Sequence, residues 1–207
     1  MTGIKICGVR NKQIAMACIN LGADFIGLVF CEDSPRYITL DAAAEIADLA
    51  RLASVTPVAV FNRASINTIL DTCEHLNITH VQLHGEQAKG TLNTLPESLH
   101  KIYVVNVNQQ GAIAVDDNVS LLRPQHDYIL FDGEQAGSGQ SIALNNIRAI
   151  NGLRFFLAGG LNAQNVQAAI NVTHPFAVDV SSGVELTRGE KSVERITQFI
   201  EQVRALS

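Results

Sequence analysis

Short, wholly apolar runs recur along the chain at near-regular intervals, separated by segments of mixed polarity. Runs of this kind, rich in Val, Ile and Phe, are typical of strands that are buried on both faces. The eight runs are residues 4–7, 25–30, 58–61, 80–83, 101–105, 128–131, 155–158 and 176–180. The pattern therefore predicts eight strands of a parallel sheet.

The segments between the runs repeat apolar residues every three or four positions, which is the spacing of an amphipathic helix. The clearest examples are Ile14, Ala17, Cys18 and Leu21; Ala43, Ile46, Ala47 and Ala50; Ile66, Ile69, Leu70 and Cys73; and residues 193–206. Residues 86–95 and 113–122 are weaker, because Gly or Asp interrupts them. Eight strand–helix units predict an α/β fold, a closed (β/α)8 TIM barrel near the lower size limit of about 200 residues. A doubly wound open sheet is the alternative.

The bulk composition bounds the class of protein. No linker, low-complexity tract or charge block divides the chain, so one domain spanning residues 1–207 is expected. The content of 47% hydrophobic and 17% charged residues is that of a globular protein and argues against disorder. The net charge is −5 and the fifteen Lys and Arg residues are scattered, which argues against nucleic-acid binding. An anionic ligand would have to be held by local groups.

Neither a membrane segment nor a metal site is predicted. The residues after Met1 lack the basic and long apolar regions of a secretory signal, and no run of about 18 apolar residues follows. A cytoplasmic protein that does not bind membranes is therefore expected. Cys7, Cys18, Cys31 and Cys73 form no C-x-x-C pair and have no His partners at zinc-finger spacing, so reduced thiols are expected.

Glycine-bearing turns follow the last three predicted strands. In a barrel, the C-terminal ends of the strands carry the active site, and turns with bare backbone amides bind phosphate. The predicted phosphate-binding residues are Gly137, Ser138, Gly139, Gly159, Gly160, Ser181, Ser182 and Gly183. A dinucleotide site is not predicted, because Ile142 occupies the third glycine position of G-x-G-x-x-G.

A thiol, a carboxyl group and a guanidinium lie at or just beyond other strand ends. Cys7 ends the first run and is either a small core residue or a proton-transfer base. Asp132 follows the sixth run and is either a helix cap, a loop residue or an acid kept protonated by burial. Arg36 suits a carboxylate ligand, with a surface ion pair to Glu32 or Asp33 as the alternative.

Six short motifs follow one another along nearly the whole chain. They are residues 5–8 (KICG), 22–27 (GADFIG), 34–37 (SPRY), 81–85 (VQLHG), 158–162 (AGGLN) and 178–185 (VDVSSGVE). Each motif is weak alone, because glycine turns recur in phosphate-binding barrels. Together they resemble the phosphoribosylanthranilate isomerase family of tryptophan biosynthesis.

The resemblance implies an Amadori rearrangement of a phosphorylated small molecule, without a metal or an organic cofactor. The substrate would be N-(5-phosphoribosyl)anthranilate and the product 1-(2-carboxyphenylamino)-1-deoxyribulose 5-phosphate. By resemblance, Asp132 would be the general acid, Cys7 the general base with partial thiolate character, and Arg36 the ligand of the anthranilate carboxylate. The residues expected to support these groups are Gln82, His84 and Asp179.

The chain departs from the family pattern at two places. The usual Gly-Gly-Thr-Gly is Ala-Gly-Ser-Gly at residues 136–139, and the usual Lys-Asp after the eighth strand is Lys191-Ser192. Neither change removes a predicted catalytic group, and Ser192 can cap the last helix. A sister phosphate-binding barrel enzyme and a catalytically silent phosphate binder stay open as alternatives. A monomer is favoured, with a homodimer as the alternative.

Overall fold

Eight parallel strands close into a barrel in the computed structural model, which describes residues 1–108, 112–113, 117–133, 144 and 147–206. The strands are β1 (Gly3–Cys7), β2 (Phe25–Val29), β3 (Thr56–Phe61), β4 (His80–Leu83), β5 (His100–Val107), β6 (Tyr128–Gly133), β7 (Arg154–Leu157) and β8 (Ala177–Val180). Neighbours follow chain order, and β1 pairs with both β2 and β8. The predicted barrel is confirmed, and the open-sheet alternative is wrong.

Helices cover the outside of the barrel. They are α1 (Lys12–Asn20), α2 (Leu40–Leu52), α3 (Ile66–Leu76), α4 (Glu86–Lys89), α5 (Val166–Thr173) and α6 (Val193–Arg204). Four of them begin at a side chain that accepts a hydrogen bond from the backbone amide three residues on, which satisfies an otherwise unpaired donor. The capping residues are Asn11, Thr39, Ser65 and Ser192. The predicted cap at Ser192 is thus confirmed.

The two weak helical segments are reduced to short turns. Residues 86–95 contain α4, which ends at Lys89 before Gly90, and a 3₁₀ turn at Leu92–Thr94. Residues 113–122 contain a 3₁₀ turn at Asp117–Leu121, with residues 114–116 outside the described part of the chain. Neither segment offers the repeated apolar stripe that would hold a full helix against the barrel.

Alternation along the strands divides the core into two layers. In β1, Ile4 and Ile6 pack in the layer between the strands and the helices, while Cys7 packs inside the barrel. Lys5 follows the same alternation and is fully buried beside Asp179, its register partner on β8. The inward face of β1 and β8 therefore carries a buried ion pair beside the Cys7 thiol.

One further element lies outside the barrel wall. An antiparallel hairpin of β9 (Glu185–Thr187) and β10 (Glu190–Lys191) follows β8 and was not predicted. Within the described residues, no helix is long and apolar enough to cross a membrane.

Candidate active site

A cavity of about 280 Å³ opens at the C-terminal ends of the strands. The predicted site residues that line it are Cys7, Arg36, Gln82, His84, Asp132, Gly159, Gly160, Asp179, Ser181 and Ser182. Gly183 lies behind this lining, where a methyl group in place of its hydrogen would clash with the carbonyl oxygen of Leu161. Gly137, Ser138 and Gly139 lie outside the described residues. Closure of the barrel thus brings most of the predicted residues together.

Cys7 is buried at the end of β1, next to Gly27 on β2. The pKa of its thiol is raised, chiefly by burial and further by the Asp179 carboxylate, while Lys5 and Lys191 act to lower it. Burial therefore favours the thiol over the thiolate at neutral pH. The partial thiolate implied by the family resemblance has to come from charges brought close to the sulfur.

Asp132 is buried at the end of β6. Burial and then the nearby Asp179 raise the pKa of its carboxyl to about 7, against the opposing effects of the Gly133 amide and Lys5. Gly159 lets this group sit close to the next turn, since a methyl group there would lie 2.6 Å from the Gly133 nitrogen. The expectation that burial favours the protonated acid is confirmed.

Arg36 forms a two-pronged ion pair with Glu185, and not the surface pair with Glu32 or Asp33 that was the alternative. Its Nε and Nη2 donate to the two carboxylate oxygens at 2.7 and 2.9 Å. The surface-pair alternative is wrong because the Arg36 stem folds back over Gly8, and Asp33 pairs with Arg63 instead. Arg36 lines the cavity, and among the described residues no hydrogen bond from its Nη1 is found.

Glu185 and Lys191 form a charged cluster that the sequence analysis missed. Lys191 Nζ donates to Glu185 Oε1 at 2.8 Å and to the carbonyl and hydroxyl oxygens of Ser181 at 2.9 and 3.1 Å. Burial acts to raise the pKa of Glu185, but the hydrogen bonds from Arg36, Lys191 and the Gly189 amide lower it to about 2. Glu185 ends the 178–185 motif and Lys191 belongs to the Lys191-Ser192 pair, but neither their spacing nor their residue types predict that the two side chains form an ion pair.

The turns after β7 and β8 carry the remaining phosphate candidates. Gly159 and Gly160 have positive φ of 93° and 68°, which glycine adopts without strain. Within the described part of the chain, their backbone amides donate to no acceptor. Ser181 Oγ donates to the carbonyl oxygen of Cys7 at 3.1 Å, which ties the β8 turn to the end of β1.

Gln82 and His84 line the wall of the cavity on and after β4. Oε1 of Gln82 is buried and has no hydrogen-bond partner among the described residues. Burial, followed by Lys89, lowers the pKa of His84, so its imidazole is neutral near pH 7. No group of three His, Cys, Asp or Glu side chains suited to a metal ion is found in the described ranges.

Known proteins match this chain over nearly its full length. A family model described as N-(5'phosphoribosyl)anthranilate (PRA) isomerase matches residues 4–202. The N-(5'-phosphoribosyl)anthranilate isomerase of Streptococcus pneumoniae (strain ATCC 700669 / Spain 23F-1) is 41% identical over 206 residues, covering 99% of this chain and 96% of that protein.

Two solved structures agree with this chain in fold and in sequence. Phosphoribosyl anthranilate isomerase from Thermotoga maritima has a TM-score of 0.85 and 34% identity, covering 99% of this chain and 100% of its own. A phosphoribosyl anthranilate isomerase in complex with reduced 1-(o-carboxyphenylamino)-1-deoxyribulose 5-phosphate has a TM-score of 0.76 and 31% identity over the same shares. The chain therefore belongs to the N-(5'-phosphoribosyl)anthranilate isomerase family.

Proposed function

We propose that this chain, as one catalytic domain over residues 1–207, isomerises N-(5'-phosphoribosyl)anthranilate to 1-(2-carboxyphenylamino)-1-deoxyribulose 5-phosphate in tryptophan biosynthesis. The observation that carries the proposal is a single cavity lined by both the Cys7 thiol and the buried Asp132 carboxyl. Family membership supports the reaction, and a related isomerase binds the reduced form of this product. The reaction needs one proton donor and one proton acceptor.

Asp132 is proposed as the general acid. Because its pKa is raised to about 7, a large share of the carboxyl is protonated near neutral pH. It donates this proton to the furanose ring oxygen as the bond between that oxygen and C1 breaks. The lone pair of the anthranilate nitrogen forms the C=N bond of an iminium ion, which takes up the positive charge.

Cys7 is proposed as the general base. The iminium ion makes the hydrogen on the neighbouring C2 acidic, and the thiolate removes it to give an enolamine. The enolamine takes up a proton at C1 and loses the hydroxyl proton at C2, which yields the ketone. The active form has Cys7 as a thiolate and Asp132 as a protonated carboxyl. Because the pKa of Cys7 lies above that of Asp132, the fraction of this form rises with pH up to the pKa of Asp132 and is then nearly constant up to the pKa of Cys7. We therefore expect kcat/KM to rise with pH up to about 7 and then to level off.

The two ends of the substrate are proposed to bind on opposite sides of these groups. Arg36, through Nη1, would bind the anthranilate carboxylate, since its other face is held by Glu185. The proposed phosphate-binding residues are Gly137, Ser138, Gly139, Gly159, Gly160, Ser181, Ser182 and Gly183. The amides of Gly159 and Gly160, which donate to no acceptor among the described residues, and the Lys191 ammonium beside Ser181 support this placement. Binding energy from both ends can orient the sugar between acid and base.

The remaining expectations concern the class of ligand, the location of the protein and its oligomeric state. A small phosphorylated ligand fits the cavity and the family. We expect the protein to act in the cytoplasm as a monomer. A homodimer stays the alternative, because one related structure contains monomers made from the dimeric enzyme of Thermotoga maritima.

The test of this function is turnover of freshly made substrate, followed by the decay of its anthranilate-type fluorescence against a blank without enzyme. Cys7→Ala and Asp132→Asn should each lower kcat by about 10²- to 10⁴-fold, because each removes one proton-transfer group. Cys18→Ala is the matched control, since Cys18 is a fully buried cysteine in α1 away from the cavity. Wild-type turnover in both folded site variants would overturn the mechanism, and no turnover by the wild-type protein would overturn the function.

A further inference from the structure

A buried ion pair lies beneath the cavity and is not explained by the proposed acid and base alone. Lys5 Nζ donates to Asp179 Oδ1 at 2.9 Å, with the lysine side chain 0% and the aspartate side chain 8% exposed. Taking two charges into a barrel interior is costly, and apolar residues of similar volume often give equal or greater stability. Its place between β1 and β8 is therefore better explained by chemistry than by folding energy.

Lys5 lies beside the proposed base. It is two residues before Cys7 on the same inward face of β1, and both side chains border the space above Gly27. A methyl group at Gly27 would lie 2.8 Å from Cys7 Sγ and 3.2 Å from Lys5 Nζ. The absence of a side chain on β2 thus leaves the ammonium and the sulfur facing one small space.

The charges around Cys7 come from four elements. Lys5 on β1 and Lys191 on β10 favour the thiolate, and Asp179 on β8 disfavours it. Arg36, after β2, adds a further attractive interaction with the thiolate, although Glu185 already pairs with this guanidinium. Lys5 is the cation with the largest effect on the thiol, and its own pKa is raised by Asp179 and Cys7 in spite of burial. Lys5 is therefore charged at neutral pH.

Asp179 lines the same cavity as the proposed acid, Asp132. After burial, its carboxylate is the largest influence that keeps the Asp132 carboxyl protonated, and Lys5 opposes it. The two members of one ion pair thus act with opposite sign on each of the two proton-transfer groups. Charges placed in this way can set the pKa values of the Cys7 thiol and the Asp132 carboxyl independently of each other.

We propose that Lys5 and Asp179 are positioning residues for the isomerisation: Lys5 stabilises the thiolate of Cys7, and Asp179 keeps Asp132 protonated. The proposal rests on the proposed function for its catalytic meaning. The effect of Lys5 and Asp179 on Cys7 can be measured without turnover, because the reactivity of the Cys7 thiol reports the fraction of thiolate. The two proposals can therefore fail separately.

The experiment measures the rate of Cys7 alkylation by iodoacetamide between pH 6 and 10, with the modified peptide quantified by mass spectrometry. Lys5→Met should slow alkylation at pH 8 by about tenfold, since losing an adjacent opposite charge moves a pKa by one unit or more. Asp179→Asn should speed it. A purely structural role would move both variants in the same direction. Lys101→Met, a buried strand lysine remote from the cavity, should leave the rate unchanged.

A double variant covers the case in which Lys5→Met leaves Asp179 unpaired and fails to fold. Lys5→Met with Asp179→Asn contains no unpaired buried charge, and it should be alkylated more slowly than Asp179→Asn alone. Equal rates in these two proteins, or equal rates in Lys5→Met and the wild type, would overturn the role of Lys5.

The pH dependence of turnover tests the role of Asp179 toward the acid. In Asp179→Asn the acidic limb of kcat/KM should move to lower pH than the wild-type limb near pH 7, because the repulsion that favours protonated Asp132 is gone. An unmoved limb would overturn this part. An alkylation shift in a protein without isomerase activity would uphold the electrostatic role while the proposed function fails.

Discussion

At the scale of single residues, Gly27 leaves space for the proposed base because it has no side chain. It is the register partner of Cys7 on the neighbouring strand, and a methyl group here would lie 3.0 Å from the Cα of Cys7 as well as 2.8 Å from its sulfur. The Cys7 backbone cannot move far, since it is held in the closed sheet. The smallest possible substitution is therefore expected to displace the proposed base.

Gly27→Ala should lower kcat by about 10²-fold, because a displacement of about 1 Å is enough to spoil a proton transfer. The free energy of unfolding should fall by about 1–3 kcal/mol from overpacking. Steady-state kinetics and urea unfolding measure the two effects. Gly90→Ala is the control, because a methyl group there meets no atom closer than 3.4 Å. Wild-type kcat in Gly27→Ala would show that the thiol position is not critical.

At the scale of elements, the β9–β10 hairpin connects two parts of the cavity wall. Glu185 at its start holds Arg36 from the loop after β2, and Lys191 at its end holds Ser181 in the turn after β8. Gly189 lies against Pro35, where a methyl group would come within 2.5 Å of the carbonyl oxygen. The hairpin thereby links the proposed carboxylate and phosphate sites.

Glu185→Gln should raise KM for the substrate by about tenfold and change kcat less, because Arg36 loses one of its two anchoring bonds while the acid and base are untouched. Removing one partner of a buried ion pair should also cost about 3 kcal/mol of unfolding free energy. Glu190→Gln is the matched control in the same hairpin, since Glu190 is exposed and pairs with Arg10. A fall in kcat by a larger factor than the rise in KM would contradict the role of Glu185 in positioning Arg36.

At the scale of the whole molecule, the N-terminal end of the barrel carries a stack of three histidines. The rings of His80 and His100 lie 4.3 Å apart, and those of His100 and His126 lie 3.9 Å apart. Burial, and then the charges of His100, His126 and Arg154, lower the pKa of His80 to about 4. The fold therefore favours neutral His80. Its contribution to stability is complete above pH 6.5, the ordinary value for histidine, and is lost as the pH falls toward 4.

His80→Phe should make the protein less sensitive to acid. The phenyl ring can keep the aromatic contacts. In the wild type, protonation of His80 should lower the free energy of unfolding by up to about 3 kcal/mol between pH 6.5 and 4, and this decrease should be absent in the variant. Urea unfolding at pH 7 and pH 4.5 measures the difference. His174→Asn is the control, because His174 is exposed and its positive φ suits Asn. An equal acid-induced loss in wild type and His80→Phe would contradict the assignment.

The barrel and the three main candidates were open to prediction because their signals are local. Apolar runs and helical spacing are read from neighbouring residues, and Cys7, Arg36 and Asp132 stand at or just beyond predicted strand ends. Lys5 was missed as a functional residue because a lysine inside an apolar run has no visible partner. Its partner Asp179 is 174 residues away and becomes its neighbour only when β1 pairs with β8.

By itself, the sequence determined the alternation of strands and helices, the ends at which chemistry-bearing residues gather, and the likeness to one enzyme family. Only the tertiary structure decided which charges meet: Lys5 with Asp179, Arg36 with Glu185, and Glu185 with Lys191. The reason is physical, since secondary structure follows from local pattern, whereas protonation states depend on burial and on distances between strands that are far apart in the chain. The raised pKa values of Cys7 and Asp132 are properties of the closed barrel.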